Sequence, residues 1–83
     1  MLRREIWVNA QGSVVRYNLA YINPLVFSGD NGRVLGYDFA HGTPHRHWRG
    51  QVTKVELASF EEIEARFQAE WTKLSKEMKR AKK

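Results

Sequence analysis

All three histidines of the chain fall within positions 41–47, inside the run Tyr37-Asp38-Phe39-Ala40-His41-Gly42-Thr43-Pro44-His45-Arg46-His47-Trp48-Arg49. Imidazoles titrate near neutrality, so neighbouring histidines can act as general base and general acid, while guanidinium groups stabilise charge developing on a phosphoryl group. On that reading His45 and His47 form the acid–base pair and His41 is a third catalytic or orienting imidazole. Arg46 stabilises the developing negative charge, and Asp38 fixes a histidine tautomer. The chemistry that suits them is metal-independent RNA cleavage through the 2′-hydroxyl.

Two other readings use the same residues. His41, His45 and His47 with Asp38 could ligate zinc, because His-x-His on a strand sets both rings on one face. No His-Glu-x-x-His or comparable spacing is present, and the expectation adopted is no metal and no other cofactor. Alternatively the segment is a binding surface that offers Arg46, Trp48 and Arg49 to phosphates and bases, with Tyr37 as a further stacking ring. For Tyr37 and Trp48, packing at the sheet edge with a polar tip competes with that role.

The formal charge of +5 invites a polyanionic partner, but its distribution matters more than its sum. Positions 73–83 hold six basic residues against the single acid Glu77, which accounts for the whole excess. Lys76, Lys79 and Arg80 are therefore candidate phosphate contacts, although a basic helix end also complements the helix dipole. Arg16 is a weaker candidate, read first as an exposed strand residue. With no cysteine, disulfides and thiolate metal sites are excluded, which favours a cytoplasmic setting. No stretch is apolar enough for a signal peptide core or a membrane span.

The elements that must position these residues are short. At 83 residues the chain has room for one domain and one modest core, divided into a sheet and His-rich loop over 1–58 and a helix with a basic tail over 59–83. Glu5 to Val8 and Val14 to Ile22 read as strands joined by the turn residues Asn9 to Gly12. Val15, Tyr17, Leu19 and Tyr21 share one face by period-two alternation. Asn23-Pro24 ends that strand. Leu25 to Phe27 and Arg33 to Phe39 flank Ser28-Gly29-Asp30-Asn31-Gly32, which predicts a second hairpin. Gly36 inside the later run signals a bulge or a close backbone approach. The composition from Ala40 to Gly50 predicts a loop that could hold the start of a strand, and Val52 to Leu57 predicts a further strand. Ser59 with Glu62 forms a capping box. Phe60, Ile63, Phe67, Trp71, Leu74 and Met78 then recur at three- and four-residue steps as the buried stripe of a long helix. The fold predicted is α+β, an antiparallel sheet of four to five short strands with that helix on one face.

The stretch Gly32 to His47, following a strand that contains Arg16-Tyr17, resembles the core of the TumE-like family of small toxins from bacterial toxin–antitoxin pairs. Tyr37, Asp38, Ala40, His41, His45 and His47 match that family in type and order, while Phe39 stands where it carries Asn. The resemblance covers about a third of the chain. It implies a growth-inhibiting toxin that is neutralised by a cognate antitoxin protein and directed at a nucleic acid, with RNA the candidate partner and a homodimer left open. A small non-catalytic module binding nucleic acid or protein remains the alternative.

Overall fold

The computed structural model describes residues 1–40, 42–56 and 58–81, apart from the side chains of residues 40 and 78–81. Five strands, β1 (Leu2–Val8), β2 (Val14–Ile22), β3 (Arg33–Ala40), β4 (Thr43–Trp48) and β5 (Gln51–Lys54), precede one helix, α1 (Phe60–Ala81). The strands form a meander in sequence order in which every neighbouring pair is antiparallel, the arrangement that short connections dictate. The fold is α+β, with α1 covering one face of the sheet.

Alternation along β2 and the stripe on α1 build the core between those two layers. Tyr17, Leu19 and Tyr21 of β2 join Val34, Leu35 and Tyr37 of β3 and meet Ile63, Phe67 and Leu74 of the helix. Phe60 tilts onto Tyr17 and Phe67 meets Tyr37 edge-on, with Trp71 half-buried beside them. Full burial of each aliphatic or aromatic side chain here contributes about 1.5–3 kcal/mol. Val15, predicted on the same face, lies at the end of the sheet and is exposed. The Ser59 hydroxyl accepts the Glu62 amide at 3.2 Å, so the predicted N-cap forms. Met78 of the predicted stripe has its side chain outside the described residues, as do Lys79 and Arg80.

Three expectations are corrected. Leu25 to Phe27 is not a strand: the Asn23 carbonyl accepts the amides of Val26 and Phe27, so the chain coils after Pro24, and Leu25 is fully exposed. The second hairpin therefore joins β2 to β3 through the long connection 23–32. The segment read as a loop is largely strand β4, which pairs with β3 from Ala40↔Thr43 to Leu35↔Trp48. Pro44 concealed it, yet proline is tolerated near the start of a strand. Arg49 (φ 45) and Gly50 (φ 84) then make a two-residue turn into β5, an Arg-Gly in the place usually taken by Asn-Gly. The last predicted strand is shorter and earlier, Gln51–Lys54 instead of 52–57, and Leu57 lies outside the described residues.

Candidate active site on the open sheet face

The face of the sheet turned away from α1 carries the polar chemistry. Glu5, Asn18, Asp38, His45 and Lys54 stand directly opposite one another, strand by strand, in a single row across all five strands. At about 4.8 Å per strand the row spans roughly 19 Å. The next row includes Gly36 and His47, cross-strand partners in β3 and β4.

Asp38 is the hub. One carboxylate oxygen lies 2.6 Å from His47 Nε2, and the other lies 3.8 Å from His45 Nδ1. His47 Nδ1 faces the Arg33 guanidinium at 2.9 Å. A guanidinium can only donate, so Nδ1 accepts, and Nε2 must carry the proton that goes to Asp38. His47 is thus a neutral ring with both nitrogens engaged and its side chain only 12% exposed. His45 is 37% exposed and makes no hydrogen bond among the described residues, which leaves its Nε2 free to exchange a proton with a ligand.

Arg33 reaches this position because glycine permits it. Its Cδ passes 2.8 Å from where a Cβ on Gly36 would stand, and the Leu19 carbonyl oxygen is 3.1 Å from the same point. The predicted close approach at Gly36 is therefore an arginine side chain crossing the strand. Asp30, Asn31 and Gly32 adopt left-handed backbone conformations (φ 50, 55 and 83), which these residue types accept most readily. That turn sets the Asp30 carboxylate 2.8 Å from Arg33 Nε and fixes the guanidinium toward His47 and Asp38.

Arg46 is on the opposite face. Its guanidinium pairs with Glu70 of α1, which also accepts the Tyr37 hydroxyl. Burial, reinforced by the bond to Glu70, pushes the Tyr37 phenol up to about 12. Burial alone would raise the Glu70 carboxyl, but the Arg46 and Tyr37 hydrogen bonds outweigh it and hold the group below its ordinary value; Glu70 in turn holds Arg46 above its own. This trio clamps helix to sheet and does not contribute to the histidine face. Tyr37 is 3% exposed and closed to base stacking. Trp48 lies half-buried on the helix side, with the guanidinium groups of Arg46 and Arg49 5.7 and 5.2 Å from its ring centre. Arg49 is exposed at the β4–β5 turn, and Lys76 is exposed on the helix. These basic groups do not converge on the row. Burial, and after it the charge of Asp38, raises the Tyr17 phenol, whose oxygen is buried without a partner among the described residues.

Of the predicted catalytic set, the structure brings together Asp38, His45 and His47 and separates Arg46 from them; His41 lies outside the described residues. Arg33, Asn18, Glu5 and Lys54 belong to the open face and went unrecognised, although Gly36 already marked a close approach. Among the described residues no three His, Asp or Glu side chains are grouped to hold a metal ion, and no helix is long and apolar enough to cross a membrane. The chain matches no family model, no curated protein and no solved structure.

Proposed function

We propose that the open face is a metal-independent RNA-cleaving site and that the protein is the toxin of a toxin–antitoxin pair, held inactive by an antitoxin partner. The observation that carries the reading is the half-exposed His45 imidazole beside an Asp38 carboxylate that a neutral His47 and Arg33 hold in place. His45 Nε2 takes the 2′-hydroxyl proton, and the resulting oxyanion attacks the adjacent phosphorus. The bond from phosphorus to the 5′-oxygen breaks, and that oxygen takes a proton from the ammonium of Lys54, the next residue in the row. The products are a 2′,3′-cyclic phosphate and a free 5′-hydroxyl. Arg33 faces the charge that accumulates on the phosphoryl oxygens. His47 positions Asp38 and Arg33 without exchanging a proton itself, which changes the expected acid–base pair into one working imidazole and one positioning imidazole.

The test is induced expression in bacteria and incubation of the purified protein with RNA in excess chelator, for wild type, His45→Ala and His47→Asn, with folding checked by circular dichroism. Growth arrest and chelator-resistant cleavage by wild type, abolished in folded His45→Ala and reduced in His47→Asn, is the expected result. Equal activity of wild type and His45→Ala would overturn the assignment. If neither protein cleaves RNA and binding weakens steeply with salt through Arg49 and Lys76, the chain is the non-catalytic module instead.

A further inference from the structure

We infer that the depression beside His45, bounded by Glu5, Trp7, Arg16, Asn18 and Asp38, is a nucleobase subsite selective for guanine; this rests on the reading of RNA as the substrate. The hollow is about 370 Å³, and Glu5, Asn18 and Asp38 of the polar row line it together with Tyr17 and Phe39. Its floor is aromatic and cationic: Trp7 is 41% exposed, and the Arg16 guanidinium lies 4.8 Å from its ring centre. A planar base stacks on such a pair regardless of its identity, so the floor supplies affinity without selection.

Selection comes from the wall. Glu5 presents a carboxylate, which only accepts, and is oriented by the Asn18 amide nitrogen at 3.3 Å. Asn18 Oδ1 is itself buried, so the acceptors the wall offers are the two Glu5 carboxylate oxygens, side by side, and these call for adjacent donors on the ligand. Guanine presents N1–H and the N2 amino group together on its Watson–Crick edge. Adenine and cytosine each set one amino group beside an acceptor nitrogen, and uracil sets one N–H between two carbonyls. Glu5 is three strands from His45, about 14 Å between backbones, a span that the two side chains and a nucleotide lying between them cover when its phosphate is at His45. Arg3, on the same strand as Glu5, has its Nε 4.0 Å from the Glu5 carboxylate and lines the adjoining depression with Arg33.

The probes are guanosine, adenosine, cytidine and uridine 3′-monophosphates, titrated into the full chain while the Trp7 indole N–H resonance is followed by NMR. Wild type is expected to bind the guanosine nucleotide about tenfold to a hundredfold more tightly than the others, the range that a good bidentate base contact supplies. Glu5→Gln, folded by circular dichroism, is expected to level the four affinities. Four equal affinities in wild type, an unmoved Trp7 resonance, or a guanosine preference that survives Glu5→Gln overturns the subsite. RNA cleavage with no base preference sinks the subsite and spares the nuclease reading. A guanosine preference in a protein that cleaves no RNA does the reverse.

Discussion

Arg46→Ala separates the geometry from the order of residues along the chain. Arg46 sits between His45 and His47 in sequence, but alternate residues of a strand point to opposite faces, and the structure pairs it with Glu70 beneath the sheet. A hydrogen-bonded charge pair contributes about 1.5–3 kcal/mol when buried and about 1 kcal/mol or less when exposed. Both side chains here are about a third exposed (30% and 33%), which places the pair near the middle, at about 1–1.5 kcal/mol. Loss of the guanidinium from the Trp48 ring adds about 0.5 kcal/mol. The expected destabilisation is therefore about 2 kcal/mol, or a fall in Tm of roughly 8–16 °C for a domain of this size. Cleavage and growth arrest per folded molecule should stay at the wild-type level. Urea unfolding of Arg46→Ala, Glu70→Ala and the double variant supplies the pair's coupling energy, expected at about 1–1.5 kcal/mol. A variant that unfolds within 0.5 kcal/mol of wild type, or a folded variant with no activity, would refute the clamp and return Arg46 to the active face.

The same clamp makes the fold sensitive at both ends of the pH scale. Tyr37 titrates near 12 in the fold and near 10 when unfolded, so its contribution is complete below pH 10 and is lost as pH rises from 10 to 12, about 2–3 kcal/mol by linkage. Ultraviolet titration should show a tyrosinate that forms only as the protein unfolds, and ionisation of all three tyrosines near pH 10 in the intact fold would contradict it. Glu70 acts in the other direction: its stabilisation is present above pH 4.5 and disappears as pH falls through its lowered value, so Glu70→Gln should flatten the acid limb of a stability–pH curve. Gly36→Ala should displace Arg33 at a cost of about 1–3 kcal/mol, free His47 Nδ1 and lower activity; imidazole ¹⁵N shifts unchanged from wild type would speak against the crossing arginine. Ser59→Ala should lower stability by about 1 kcal/mol with activity intact, measured by urea unfolding and RNA cleavage.

One misjudged element accounts for most of the distance between sequence and site. Hydrophobic period and cap chemistry were enough for the helix and for β2, because Ile63, Phe67 and Leu74 repeat at helical spacing and Tyr17, Leu19 and Tyr21 at strand spacing. From Ala40 to Gly50 apolar alternation is missing, since β4 puts histidines on one face and Pro44, Arg46 and Trp48 on the other, and proline and glycine then read as loop. Treated as a loop, the segment lets Arg46 join the histidines; treated as a strand, it cannot. The partnership of Asp38 with His45 and His47 was legible as clustering, but the identity of the cation beside them was not. Arg33 arrives from 14 residues away over a glycine, held by an aspartate in a left-handed turn, and each of those features carries only a generic turn or bulge signal in sequence. A cross-strand row such as Glu5-Asn18-Asp38-His45-Lys54 is set by register, and register follows from four pairings that no local window contains. Chemistry built across a sheet is therefore read first from the residue that makes room for it. In this chain that residue is Gly36, the one position in β3 where a side chain would exclude the arginine that fixes the histidine.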